Sequence, residues 1–330
     1  MQKRIKVAVI DTGINRQHSY LKDCIIGGIA FKDNGDFIEV KDDFEDDNGH
    51  GTACASIIKK EYNDVDIFSI KALDREGKTN IQILEESLKY LIDTDIKLIN
   101  LSLSISTNEI TEELLLICEK LVKMNKIIIC SLANGLEESY PAILENIIGV
   151  RGSILDNRDS ILYNKNSKIQ CVIDSRQYLT PYLEDNYILF GQCNSHAAAK
   201  LTGKIAALIA KNTDLESFEQ IQDRLEDISN KKLEYKFENK IYLKDEDELL
   251  NRIVNVISKN FNLKNKHILY QRRICDEDFG INYFNIINLV KLLEKEFNVE
   301  FNYIEISRDD LVSIYSLANL IKNVKNKIER

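Results

Sequence analysis

No run of the sequence approaches the roughly 18 uninterrupted apolar residues that a membrane-crossing helix needs, so no membrane span is expected. Its seven cysteines (Cys24, Cys54, Cys118, Cys130, Cys171, Cys193, Cys275) are odd in number and scattered, and no two share CxxC spacing. They read as reduced thiols rather than as a disulfide frame. Positive charge is also short: 44 Lys and Arg stand against 53 Asp and Glu, a net charge of −9, which argues against general nucleic-acid binding. Only four histidines are present, so any imidazole chemistry has few candidates. The opening MQKRIKVAVID places only a short apolar stretch before an acid, too little for a signal-peptide core. A cytoplasmic chain is therefore expected, without room ahead of Asp11 for a propeptide.

What is present is an alternation of short apolar runs and amphipathic segments. Val7–Ile10 reads as a buried strand ending in Asp11-Thr12-Gly13. Helical composition over 53–60 and a strand over 65–71 follow, then a helix over 81–92 and a strand over 97–103. Another helix is expected over 109–123, with strands over 126–132 and 147–150. Residues 156–190 are loop-rich and give no periodic signal. Residues 194–210 combine alanines with an apolar stripe of Leu201, Ile205, Leu208 and Ile209, as a buried helix would, and 215–228 reads as a further helix. Strands alternating with helices are the pattern of a parallel sheet covered on both faces.

Polar residues punctuate this pattern where open α/β sheets place functional groups. Asp11 and Asn134 stand at strand ends, and each also fits a turn. His50 lies between Gly49 and Gly51 at the start of a helix, a position equally suited to structural hydrogen bonding. Ser195 begins the alanine-rich helix, where it is a favoured cap and also sits among unpaired backbone N–H groups able to hold an oxyanion. The acidic run 42–47 reads as a solvated loop, with cation binding or attraction of basic substrates as the other readings. A serine hydroxyl becomes a useful nucleophile when an imidazole accepts its proton and a carboxylate orients that imidazole. The order Asp11, His50, Ser195 is the subtilisin order among the unrelated triad folds.

At these residues the sequence resembles the subtilisin-like serine proteases, or subtilases, over roughly residues 4–229. VAVIDTGI resembles the aspartate segment, NGHGTACASII the histidine segment, CSLANG with YPA the oxyanion-asparagine region, and CNSHAAAKLTG the serine segment. INLSLS resembles the segment lining the substrate cleft, which implies substrate pairing along Ser102, Leu103 and Ser104. The resemblance implies a triad of Asp11, His50 and Ser195, an oxyanion donor at Asn134, and no metal or other cofactor. Departures surround the nucleophile: Cys193, Asn194, His196 and Ala199 stand at the positions of Gly, Thr, Met and Pro in the usual Gly-Thr-Ser-Met-Ala-x-Pro pattern. Ser104 and Ala133 each replace a usual glycine. These changes imply a narrowed cleft, and leave a catalytically impaired, peptide-binding pseudoprotease as the competing reading.

The tail differs in character. Residues 243–330 carry 14 basic and 14 acidic side chains, so the acidic surplus belongs to 1–242. Residues 232–243 alternate like a hairpin or extended tail, and helices are expected over 245–261, 284–297 and 313–325, enough for a small bundle. FGINYFNIINLVKLLEKEFNVEF resembles the Gly-(Leu/Ile)-Asp-Ser-Leu segment and following helix of acyl carrier proteins. Asn282 and Tyr283 occupy the Asp and Ser positions, so the serine that would carry phosphopantetheine is absent. The expected architecture is a subtilisin-like α/β peptidase domain over 1–242 followed by an all-α, carrier-like domain over 243–330. The expected function is cleavage of a peptide or protein substrate, such as leader removal, with the tail docking a partner protein. Recruitment to a biosynthetic complex is a further reading of the tail.

Overall fold

The computed structural model describes residues 4–105, 110–212, 215, 217–229, 247–261, 263, 266–270, 272–275 and 279–328. The hairpin or tail expected over 232–243 lies outside the described residues. The described residues of 1–175, 181–185 and 191–234 form one compact unit, and those of 176–180, 186–190 and 235–330 form a second. This division differs from a single cut after residue 242, because two short segments between 176 and 190 belong with the tail.

In the first unit nine strands form one sheet: β1 (Ile5–Asp11), β2 (Ile25–Asp33), β3 (Ile38–Lys41), β4 (Val65–Lys71), β5 (Leu98–Leu101), β6 (Ile127–Ser131), β7 (Ile148–Ser153), β8 (Ile161–Tyr163) and β9 (Cys171–Asp174). Their order is β3-β2-β4-β1-β5-β6-β7-β9-β8, antiparallel only at the two edge pairs and parallel between them. The central strands read as continuous apolar runs because helices cover both faces. Helices α2 (Ile81–Ile92) and α3 (Glu112–Lys123) bury Leu84, Leu88, Leu91, Leu114 and Leu121 with Ala8, Ile10, Ile99, Leu101 and Ile128. Helices α1 (His50–Glu61) and α4 (Asn194–Lys211) pack together and against the strands. Gly203 permits that approach, since a Cβ there would lie 2.6 Å from the Ile58 carbonyl oxygen. Helix α5 is Phe218–Ser229.

Side-chain alternation along the strands then places the polar groups. Ala8 and Ile10 of β1 join the α2–α3 core, so Asp11, one residue on, points to the opposite face. By the same parity Ile99 and Leu101 face α2 and α3, while Asn100 faces α4 and accepts the Thr202 hydroxyl at 2.9 Å. The stretch 156–190, unreadable in sequence, holds β8, β9 and a hairpin of β10 (Tyr178–Pro181) and β11 (Tyr187–Phe190).

The second unit is helical around its own core. Helices α6 (Asp247–Asn260), α7 (Ile286–Phe297) and α8 (Ile314–Ile328) bury Ile253, Ile257, Ile287, Val290, Leu317 and Ile321. Leu179 and Leu189 of the β10–β11 hairpin are part of the same cluster. Backbone bonds fasten them: Leu179 N–H donates to the Ile306 carbonyl at 2.9 Å and Leu189 N–H to that of Tyr283 at 3.2 Å. Asn282 and Tyr283 form the turn before α7, where Asn282 Oδ1 accepts the Phe284 N–H at 2.9 Å.

Candidate active site

Asp11 ends β1, fully buried, and its Oδ1 lies 2.7 Å from Nδ1 of His50, the first residue of α1. A carboxylate only accepts, so Nδ1 is the donor and the neutral imidazole carries its lone pair on Nε2. The two segments meet closely because residue 51 is glycine: a Cβ there would fall 2.1 Å from the Gly13 carbonyl oxygen and 3.0 Å from Asp11 Cβ. Burial is the largest single influence on His50 and pushes its pKa down, but Asp11 first and Cys54 second, each through charge and hydrogen bond, together outweigh it, so the imidazole titrates well above its ordinary value. Cys54 Sγ lies 3.9 Å from Nδ1, and burial pushes that thiol up to about 11.

The acidic run is not wholly solvated. Asp42, Asp43 and Asp47 are exposed, but Asp46 is buried and accepts five hydrogen bonds. Oδ1 takes the Thr12 hydroxyl at 2.8 Å and the N–H groups of Asn48 and Gly49 at 2.9 and 2.8 Å; Oδ2 takes Thr52 N–H at 3.0 Å and its hydroxyl at 2.6 Å. Asp46 thus caps the N-terminus of α1 from outside it, a fitting place for negative charge. Its signal in sequence was slight: an aspartate three residues before Gly49, hidden among other acids.

Ser195 is the second residue of α4 and is buried, its Oγ donating to the Ser102 carbonyl at 3.3 Å. Asn134 follows β6, and its Oδ1 accepts the Asn194 N–H at 3.0 Å. Ser102, Leu103 and Ser104 follow β5; the Ser102 hydroxyl accepts from Asn100 Nδ2 at 2.7 Å, and Leu103 sits in the α2–α3 core. His50, Ser102, Leu103, Ser104, Asn134 and Ser195 all line one cleft of about 990 Å³, with Asp11 behind His50. The cleft also takes in 77–82, Ile110 and Thr111, for which the sequence carried no signal. His196 is buried behind the nucleophile; burial first, then the charges of Lys200 and Lys60, push its pKa down to about 3, so it stays neutral.

A parallel sheet carrying a histidine and a serine at the starts of two packed helices, with an aspartate on the histidine, is the arrangement of a subtilisin-type serine hydrolase. The sequence profile of the subtilase family matches residues 2–243, and the chain belongs to that family of serine proteases. It is 30% identical to the major intracellular serine protease of Bacillus subtilis (strain 168), over 66% of this chain and 72% of that protein. It is 28% identical to an intracellular serine protease of Paenibacillus polymyxa, over 62% of this chain and 66% of that one, and 25% identical to the minor extracellular protease Epr of B. subtilis, over 68% and 34%. The chain thus spans just under two thirds of the P. polymyxa relative and about a third of Epr. A crystal structure of a cold-adapted subtilisin-like serine proteinase superposes with a TM-score of 0.53 at 18% identity, covering 66% of this chain and 79% of that one, a likeness of fold. Among the described residues, no helix is long and apolar enough to cross a membrane.

Proposed function

We propose that the chain is an active endopeptidase in which Ser195 attacks the scissile carbonyl, His50 takes and returns the proton, and Asp11 orients His50. Asn134 donates to the oxyanion. The observation that carries this reading is the 2.7 Å bond between Asp11 and His50 beside a cleft that His50 shares with Ser195. With Nδ1 donated to Asp11, Nε2 is the atom left to accept the serine proton. Asn134 supports its assigned role because Asn194 occupies its Oδ1, leaving the amide NH₂ as a donor. The bond from Ser195 Oγ to the Ser102 carbonyl is a resting arrangement, since catalytic hydrogen bonds commonly tighten only when substrate is bound.

The substrate is a peptide or protein of narrow range, paired along Ser102–Ser104, and removal of a leader from a specific peptide fits such an enzyme. Ser104 supports the narrowness by adding a side chain to the cleft wall. The chain acts in the cytoplasm, in keeping with two relatives named intracellular. The peptidase domain extends to about residue 242, and the carrier-like domain from 243 docks substrate or a partner protein without a prosthetic group, since Tyr283 occupies the serine position.

Labelling with a fluorophosphonate probe tests the reaction. Label that disappears in both Ser195→Ala and His50→Ala supports the triad. A parent that stays unlabelled beside a reactive subtilase overturns it in favour of a peptide-binding pseudoprotease, the reading favoured by a serine hydroxyl engaged with the Ser102 carbonyl.

A further inference from the structure

Asn194 immediately precedes the nucleophile and is buried, at 8% exposure. Its side chain uses both ends. Oδ1 accepts the Gly152 N–H of β7 at 2.8 Å; Nδ2 donates to the Leu132 carbonyl at 2.9 Å, with the Ala133 carbonyl at 3.5 Å. Its own backbone N–H donates to Asn134 Oδ1 at 3.0 Å. One residue therefore joins the serine segment, the end of β6 and β7. Its backbone N–H, which any residue but proline would supply, leaves the Asn134 NH₂ directed elsewhere, and the side chain holds the two residues before Asn134 in place. Among the described residues, the other hydrogen bonds on this turn go to its backbone: Leu132 N–H donates to the Val150 carbonyl at 3.0 Å, Ala133 N–H to Ser139 Oγ at 2.9 Å, and Leu136 N–H to the Ala133 carbonyl at 3.3 Å.

We infer that Asn194 is a positioning residue for the oxyanion donor, its side chain fixing the place of Asn134 relative to Ser195. The inference rests on the reading of Ser195 as nucleophile and Asn134 as oxyanion donor. Asn194 touches no reacting atom in this role; it acts by holding Leu132, Ala133 and Asn134 while its backbone carries Ser195. A threonine, the residue of the related pattern at this position, has one hydroxyl and cannot offer separate donor and acceptor groups at the span of an amide.

The test is the second-order rate of fluorophosphonate labelling, since attack on phosphorus also develops charge on an oxygen. Parent, Asn134→Ala, Asn194→Ala, Asn194→Ser and the double variant Asn134→Ala/Asn194→Ala are compared, each with its thermal midpoint. Loss of an oxyanion donor typically slows reaction by about 10²–10³. Asn134→Ala is expected in that range and Asn194→Ala at least about tenfold slow, with Asn194→Ser between it and the parent. The double variant is expected to label no more than about twofold slower than Asn134→Ala, because a residue acting through Asn134 has nothing left to position. Should Asn194→Ala fail to fold, Asn194→Ser and its own double variant with Asn134→Ala carry the same comparison. Labelling of the Asn194 variants at the parent's rate, or losses that multiply in the double variant, would overturn the inference. A parent that does not label at all overturns the nucleophile reading instead, and the inference with it.

Discussion

Asp46 Oδ1 accepts the hydroxyl of Thr12 at 2.8 Å, and this bond joins the strand end carrying Asp11 to the loop that opens the His50 helix. Thr12 Oγ1 in turn accepts the Gly51 N–H at 3.0 Å, so donor and acceptor positions along the link are both filled. Replacing Asp46 by Ala leaves several buried donors unpaired, each costing about 1–3 kcal/mol when stranded. Asp46→Ala is expected to destabilise the first unit by about 3–5 kcal/mol, read by urea denaturation. Labelling at Ser195 should fall as His50 loses its placement. A melting curve like the parent's would remove Asp46 from this role.

Asp11 sets the proton affinity of His50 against the opposing effect of burial. His50 must be neutral to accept a proton, so the labelling rate should rise with pH through a midpoint above the ordinary histidine value of about 6.5. Asp11→Asn removes the largest of the influences that oppose burial and should move that midpoint down. It should also cut the rate by about four orders of magnitude, as the loss of the triad carboxylate does in subtilisin. The same raised pKa stabilises the fold below the unfolded histidine value, a contribution lost as pH rises through the folded one.

His196 acts with the opposite sign. Its folded pKa, pushed down to about 3 by burial and then by Lys200 and Lys60, lies below the unfolded value of about 6.5. Acidification below pH 6.5 therefore favours unfolding, by about 1.4 kcal/mol per pH unit until the folded pKa is reached. His196→Met removes this term. Its acid-unfolding midpoint, followed by circular dichroism, should lie at lower pH than the parent's; an unchanged midpoint would show that other groups control acid stability.

Leu179 and Leu189 are buried among side chains of α6, α7 and α8 although they precede the tail in sequence. Leu189→Ala should cost about 2–5 kcal/mol, read as faster hydrogen exchange in α7 and α8. A fragment ending at 242 lacks the cluster that covers both leucines, so it should bind a hydrophobic dye that the full chain does not. A clean, dye-silent 1–242 fragment would show the hairpin repacking without the tail.

Long periodic segments were legible in the sequence: α2 runs over Ile81–Ile92 as its apolar spacing predicts, and β4 over Val65–Lys71. The short strands between 161 and 190 were not. β8 to β11 have three or four residues each, too few for alternation to stand out, and the paired glycines 27 and 28 dilute the apolar pattern of β2. The acidic run misled because burial of one aspartate among exposed neighbours leaves no periodic trace.

Asp11, His50, Asn134 and Ser195 were singled out as candidates by their residue types, their order and the subtilase-like segments around them, since each taken alone also fits a cap or turn. The partners of those residues belong to the folded chain alone. Asn194 looked like a disturbance beside the serine, yet it bonds to residues 42 to 62 positions away. Asp46 reaches Thr12 across 34 residues, and Leu179 finds its core in helices that begin beyond residue 246. Hydrogen bonds and core contacts between segments distant in sequence depend on strand order and helix packing, which local composition does not encode.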